Sequence, residues 1–152
     1  MRFFVSVGIM FFLVMLSTNA WAIPTKGWTT VRGEPAHFAT DKNKVLLVFW
    51  ATWCPNCKAE LHSEVPELAK HPDVEVIALN TERDQKRVAD FVAKEKYAFP
   101  VFIDAERETR KELNAFSVPH WAVYKRETRE KPWQLVASQD AFDANAVAAA
   151  LQ

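Results

Sequence analysis

The sequence predicts an α/β fold of three layers, in which helices cover both faces of a mixed β-sheet. Apolar runs of strand length alternate along the chain with stretches in which apolar residues recur at helical spacing. Residues 45–50 are continuously apolar, which is typical of a strand covered on both faces. The chain ends with two more strand-like runs and a helix, so antiparallel strands are expected beside the parallel ones.

The composition is that of one folded domain without nucleic-acid-binding character. The 152 residues are 49% hydrophobic and include only three glycines, which is enough apolar material for one well-buried core. Nineteen basic residues balance nineteen acidic ones, and the basic residues form no stripe in the sequence. We therefore expect no nucleic-acid partner.

The N-terminal residues have the pattern of a secretory signal peptide. Arg2 gives a positive start, residues 3–16 are almost wholly apolar, and a small-x-small pattern closes the segment. We expect residues 1–22 to be a cleaved signal, which predicts export to the periplasm and a single mature domain over residues 23–152. The alternative is an uncleaved N-terminal membrane anchor, but the apolar stretch is shorter than the roughly 20 residues a spanning helix prefers.

The first half of the mature chain contains the predicted central strand and the helix that follows it. Residues 28–31 are a candidate edge strand, and residues 45–50 are the candidate central strand. A helix is predicted from Pro55, since proline is favoured at a first helical position, to about residue 70. Because Pro66 lies inside this helix, we expect a kink just before it.

The remaining elements follow from the same alternation of strand and helix patterns. A charged linker, residues 125–131, is interpreted as a solvated hairpin loop. The predicted elements are a strand at 74–79, an amphipathic helix at 81–96, a strand at 99–103, a short helix at 106–116, a strand pair at 121–124 and 133–137, and an alanine-rich helix at 142–151.

The only two cysteines of the chain form a C-x-x-C motif where the central strand meets the next helix. Cys54 falls at the helix start, where backbone N–H groups and the helix dipole stabilise a thiolate, and Cys57 lies one turn deeper. A disulfide that closes so short a loop would stabilise the fold poorly. The motif therefore predicts a redox site in which Cys54 attacks a partner's disulfide and Cys57 resolves the mixed disulfide.

The residues between the cysteines bear on the direction of the reaction. Pro55 and Asn56 bring no positive charge, whereas a cation there would stabilise the thiolate and favour an oxidising couple. The sequence thus favours a reductase or a couple of intermediate potential. The same steps run backwards would introduce disulfides, so an oxidase is the alternative.

Two further positions are candidates for a role beside the cysteines. Glu60 follows Cys57 by three residues, so its carboxylate either holds a proton near the resolving thiol or is an ordinary exposed helix glutamate. The Val118–Pro119 peptide bond lies at the entrance to a predicted strand. Only about 5–6% of X–Pro bonds are cis, so the sequence alone does not fix its isomer.

Residues 48–60, with Val118 and Pro119 downstream, resemble the thioredoxin superfamily. More narrowly, residues 45–151 are similar to the exported TlpA-like thiol-disulfide reductases, the group that includes cytochrome c maturation enzymes. The resemblance implies a thioredoxin fold with a central helix–strand insertion over residues 82–103. It also implies that Cys54 and Cys57 are the redox pair.

The same resemblance implies roles for the neighbouring residues. Glu60 matches the group's active-site glutamate, and Pro119 matches the cis-proline that faces the cysteines. His120 replaces a usual threonine, and with Trp53 and Val118 it is expected to contact the partner protein. The implied protein is a monomer that needs no bound cofactor, exchanges electrons with a protein disulfide or dithiol, and is recharged by a membrane or soluble thiol donor.

Two other classes of function fit parts of this pattern. In the first, Cys54, Cys57 and His120 capture copper or zinc, although the sequence has no closely spaced histidine pair to complete a closed zinc site. In the second, a surface around Trp53, Pro119 and Trp121 holds a partner without turnover. Replacing both cysteines with serine separates redox turnover from binding alone.

Overall fold

The structure is a computed structural model that describes residues 22–152; the predicted signal peptide, except for its last residue, lies outside this range. The elements are β1 (Trp28–Thr30), β2 (Lys44–Trp50), α1 (Pro55–His62), α2 (Glu64–Ala69), β3 (Val74–Asn80), α3 (Gln85–Glu95), β4 (Val101–Asp104), α4 (Glu108–Glu112), β5 (His120–Lys125), β6 (Gln134–Asp140) and α5 (Ala144–Leu151). The six strands form one mixed sheet in the order β1-β4-β3-β2-β5-β6. Between residues 22 and 152, no helix is both long and apolar enough to cross a membrane.

The strand predicted to be central occupies the interior of the sheet. β2 pairs in parallel with β3 on one side and antiparallel with β5 on the other, and its residues from Val45 to Trp50 are fully buried. β3 pairs in parallel with β4, and β1 and β6 form the two edges. The mixed sheet and the edge position of β1 are confirmed.

Alternate residues of β2 enter two separate hydrophobic clusters, one on each face of the sheet. Cluster one joins Leu46, Val48 and Trp50 to buried residues of α1, α2, α3 and α5. Cluster two joins Val45, Leu47 and Phe49 to the N-terminal segment and to the residues that follow α4. Since a strand points successive side chains to opposite faces, these clusters define the three predicted layers.

The predicted helix after the cysteines is interrupted near its proline. α1 ends at His62 and α2 begins at Glu64, and the Ser63 N–H donates to the Ala59 carbonyl, 3.0 Å away. Pro66 has no N–H to donate to the carbonyl four residues earlier, so the hydrogen-bond ladder breaks there. The expected kink is thus a break between two helices.

The other helices are shorter than the sequence patterns predicted. α3 begins at Gln85 because the Asp84 side chain accepts a hydrogen bond from the Arg87 N–H and caps the helix. α4 begins only after Arg107, which has a left-handed φ of 58°. The starts of both helices are thus set by the conformation or the side-chain cap of the preceding residue. The spacing of apolar residues does not indicate either of these.

The β6 edge of the sheet contains an irregularity. Val123 pairs with Ala137 and Tyr124 pairs with Leu135, so Val136 is an extra residue on β6. Val136 is also one of the few exposed large apolar side chains. This arrangement is a β-bulge, which bends the strand and increases its twist.

Candidate active site

The predicted site residues meet at one end of the sheet, where β2, β3 and β4 end and β5 begins. The last residue of β2, Trp50, pairs with Asn80 at the end of β3, and Asn80 pairs with Ile103 near the end of β4. β5 runs the other way, and its first residue, His120, pairs with Phe49. The segment after β2, which holds the cysteines, therefore meets the segment before β5, which holds the predicted cis-proline.

Cys54 and Cys57 form a disulfide at the start of α1. The S–S distance is 2.15 Å and the two Cα atoms are 5.3 Å apart. Cys54 is the N-cap residue of α1, and its Sγ accepts a hydrogen bond from the Cys57 N–H at 3.2 Å. Cys54 is 5% exposed and Cys57 is fully buried, while the preceding Trp53 is 60% exposed.

This geometry gives the two sulfurs different properties. In the reduced protein, a backbone N–H and the positive end of α1 would act on the Cys54 sulfur, which favours its thiolate. The Cys57 sulfur lies in the core and is closed to a large partner. The arrangement supports the prediction that Cys54 attacks and Cys57 resolves.

Glu60 lies on α1, one turn after Cys57, and is partly buried. One of its carboxylate oxygens, Oε2, is inaccessible to solvent and has no hydrogen-bond partner among residues 22–152. Burial raises the pKa of Glu60 from its ordinary 4.5 to about 7, and the nearby charge of Glu64 raises it further in the same direction. These features favour a proton-holding carboxyl over an ordinary surface glutamate.

The Val118–Pro119 peptide bond is cis, as the resemblance implies. Val118 is partly buried and packs against both hydrophobic clusters. The Pro119 carbonyl accepts a hydrogen bond from the Ala141 N–H at 3.0 Å. The chain that precedes β5 is thus fixed to the segment that follows β6.

His120 is buried on the face of the sheet opposite the cysteines. Its ring packs edge-on against Phe49, with centroids 5.5 Å apart, and Phe49 belongs to cluster two, whereas both cysteines belong to cluster one. Its ring nitrogens hydrogen-bond to Asp140 Oδ1 at 2.7 Å and to Ser138 Oγ at 2.8 Å. The hydrogen bond from His120, followed by one from Ser117, lowers the pKa of Asp140. Contact between His120 and a partner protein stays a prediction. The burial of the His120 side chain does not support it.

The geometry gives little support to the two alternative functions, metal binding and partner binding without turnover. Across residues 22–152, no three His, Cys, Asp or Glu side chains cluster in a way that could hold a metal ion. Trp121 is 1% exposed and donates its indole N–H to the Ala141 carbonyl at 3.0 Å. The interpretation of Trp121 as part of a binding surface is therefore wrong, because this ring packs in the core.

Glu82 is a residue of the site that the sequence did not reveal. Its Oε2 accepts hydrogen bonds from the Thr52 N–H at 2.6 Å and the Asn80 side-chain amide at 3.2 Å, and its Oε1 accepts from Thr52 Oγ at 2.9 Å. One carboxylate thus ties the loop before the cysteines to the end of β3. No motif marks this contact, because Thr52 and Glu82 are thirty residues apart.

Replacing Glu82 with alanine is expected to destabilise the oxidised protein by about 1–3 kcal/mol, because the Thr52 N–H and the Asn80 amide lose their acceptor. Urea unfolding followed by circular dichroism measures the change. The matched control is Glu67→Ala, which removes an exposed carboxylate paired with Lys70 and should cost less than about 1 kcal/mol. Equal costs for the two variants would contradict the structural role of Glu82.

Comparison with known proteins agrees with this site. The chain is similar to sporulation thiol-disulfide oxidoreductase A of Bacillus subtilis (strain 168), with 34% identity over 95 residues that cover 59% of this chain and 58% of that protein. It is also similar to thiol-disulfide oxidoreductase ResA of Bacillus thuringiensis subsp. konkukian (strain 97-27), with 33% identity over 94 residues that cover 60% and 54%. The chain therefore spans just over half the length of these curated relatives.

Solved structures confirm the predicted thioredoxin fold. StoA from Bacillus subtilis superposes with a TM-score of 0.61 and 23% identity, covering 81% of this chain and 92% of that structure. A thiol-disulfide oxidoreductase from Bacteroides fragilis gives a TM-score of 0.65 at 18% identity, covering 87% and 100%. The profile of the family described as Redoxin matches residues 11–149. The chain therefore belongs to the Redoxin family.

Proposed function

We propose that this protein is an exported thiol-disulfide oxidoreductase that reduces the disulfide of a partner protein. The observation that carries the proposal is the Cys54–Cys57 disulfide at the start of α1, with the Cys57 N–H directed at Cys54 Sγ. Family membership and the names of the similar proteins support the same chemistry.

The cycle exchanges two electrons and two protons. The Cys54 thiolate attacks one sulfur of the partner's disulfide, and that disulfide breaks as the Cys54–partner bond forms. The departing partner thiolate takes up a proton. Cys57 then loses its proton and attacks the Cys54 sulfur, which leaves the Cys54–Cys57 disulfide and releases the second partner thiolate, which also takes up a proton. A thiol donor must reduce this bond before the next turnover.

The uncharged residues between the cysteines and the position of Glu60 favour the reducing direction. Stabilising the attacking thiolate makes a couple more oxidising, and the usual means is a nearby cation. Here Pro55 and Asn56 are uncharged, and the carboxyl of Glu60 lies one turn along the helix from Cys57. A negative carboxylate repels a negative thiolate and so destabilises the reduced form of the cysteine pair. The reduced protein therefore gives up its electrons more readily.

Export is part of the proposal and rests on the signal-like pattern of residues 1–22. One similar structure, 25% identical with a TM-score of 0.59, is described as a secreted Mycobacterium tuberculosis disulfide oxidoreductase. The mature domain would then work in the periplasm, where no cytosolic thiol pool is in contact with the disulfide. A membrane or soluble thiol donor must accordingly supply the electrons.

The reduction potential of the Cys54–Cys57 couple tests the direction of the reaction. The purified mature protein would be equilibrated against defined glutathione or dithiothreitol buffers, and its thiol content measured by alkylation and mass spectrometry. A reductase is expected near the thioredoxin value of about −270 mV. A value near about −120 mV, that of DsbA, would overturn the reductase and indicate a disulfide-introducing oxidase.

A further inference from the structure

A groove beside Trp53 carries charge that the redox cycle does not use. Its volume is about 290 Å³, and its walls are Trp53, the segment that follows β3 and the start of α4. Trp53 immediately precedes Cys54 and is 60% exposed. Any segment of a partner next to the cysteine that Cys54 attacks would therefore lie close to this groove.

The two acidic side chains of the groove are engaged with the protein itself. Glu82 accepts hydrogen bonds from Thr52 and Asn80, as described above. Asp84 accepts a hydrogen bond from the Arg87 N–H at 3.0 Å and caps α3. Both carboxylates therefore have hydrogen-bond partners within the protein.

The three arginines of the groove are not matched by these carboxylates. Among residues 22–152, the guanidinium of Arg110 donates to the carbonyls of Ala115 and Phe116, while its backbone N–H donates to Asp104 Oδ2. Within residues 22–152, the Arg83 and Arg107 side chains make no hydrogen bond or ion pair, and Arg107 Nε is buried without a partner. Burial, followed by the adjacent Arg107 charge, lowers the pKa of Arg110 although Asp104 acts in the opposite direction, so the two arginines are close together.

We propose that this groove binds an acidic segment of the partner protein, next to the disulfide that Cys54 reduces. The inference rests on the proposed function and adds the chemistry of the partner. Guanidinium groups pair with carboxylates through two parallel hydrogen bonds, and Arg83 and Arg107 have donors free for such pairing with a partner. The exposed Trp53 ring would cover the apolar part of the same segment.

Two synthetic peptides test this inference. Each contains the same internal disulfide, flanked by glutamates in one peptide and by glutamines in the other, and the second-order rate constant for reduction by the reduced protein is measured for both. The acidic peptide is expected to react about 3- to 10-fold faster at low ionic strength. This preference should shrink as sodium chloride is added, because salt screens exposed charges.

Variants identify the groove as the source of the preference. The double substitution Arg83→Gln and Arg107→Gln should bring the two peptides to the same rate, and Arg83→Glu with Arg107→Glu should make the glutamine peptide the faster one. Lys94→Gln removes one positive charge at the exposed far end of α3 and should keep the preference of the unmodified protein.

The outcomes distinguish a failure of the acidic-partner inference from a failure of the proposed reductase function. If the unmodified protein reduces both peptides at equal rates, or if the double glutamine variant keeps the preference, the acidic-partner inference is wrong and the reductase stands. If the unmodified protein reduces neither peptide, the proposed function fails and the inference fails with it.

Discussion

Replacing Cys57 with serine is expected to stop the cycle after its first step and to trap the partner on the protein. In this variant the backbone N–H of residue 57 and the helix dipole still stabilise the Cys54 thiolate, so it still attacks a disulfide. No second thiol is then present to break the mixed disulfide. Replacing Cys54 with serine should instead remove the attack, because a serine hydroxyl is not ionised near neutral pH. Turnover should fall at least about 10³-fold in both variants.

Mass spectrometry of the reaction with a disulfide peptide distinguishes the two variants. Cys57→Ser should gain the mass of one peptide, which dithiothreitol removes, whereas Cys54→Ser should gain nothing. The double serine variant is the control for non-covalent association. If Cys54→Ser were the variant that traps the peptide, the two cysteines would have the opposite roles. If the double variant turned the peptide over, the redox proposal itself would fail.

Replacing Glu60 with glutamine is expected to slow the second step of the cycle about 100-fold at pH 7. Cys57 is buried, so its thiol has to lose a proton inside the protein before it can attack. Glu60, with a pKa of about 7, is poised to accept that proton. A glutamine has the same shape but cannot accept it. The rate in the unmodified protein should rise to a plateau just above pH 7, whereas the variant should rise only near the ordinary thiol pKa of about 8.5.

The free energy of unfolding gives an independent readout of the same carboxyl. The pKa of Glu60 is higher in the folded protein than the ordinary 4.5, so the folded state favours the protonated form. Its contribution to stability is fully present below about pH 4.5 and is lost as the pH rises through about 7. The oxidised protein should therefore become less stable between pH 5 and pH 8 relative to Glu60→Gln, as urea unfolding at both pH values would measure.

The matched control for Glu60 is Glu67→Gln, which removes an exposed carboxylate from the next helix. It should leave both the rate of resolution and the pH dependence of stability unchanged. A Glu60→Gln variant that matches this control in both measurements would show that Glu60 has no part in proton transfer.

The features that could be predicted from the sequence are those that depend on residues close together in the chain. Residues 45–50 are continuously apolar because their strand is covered on both faces, and Pro55 marks the helix start that receives Cys54. The alternation of strands and helices then leaves few ways to arrange the sheet. Together these signals were sufficient to predict the fold class, the central strand and the position of the disulfide.

The features that could not be predicted depend on contacts between distant residues. The bond between Thr52 and Glu82 joins two loops, and neither loop has a pattern that indicates the other. The orientation of His120 depends on which face of the sheet carries α1, and strand alternation alone does not say this. The burial of Glu60 likewise follows from packing around α1, since spacing along the helix fixes direction but not depth.

The bulge at Val136 has a consequence for the behaviour of the protein at high concentration. An exposed edge strand offers a row of unpaired N–H and C=O groups to any other chain, which is a common route to aggregation. The extra residue bends β6 and interrupts the regular spacing of those groups, and Pro132 just before the strand has no N–H to offer. The β6 edge is therefore a poorer template for pairing with a second copy than a flat, regular strand would be.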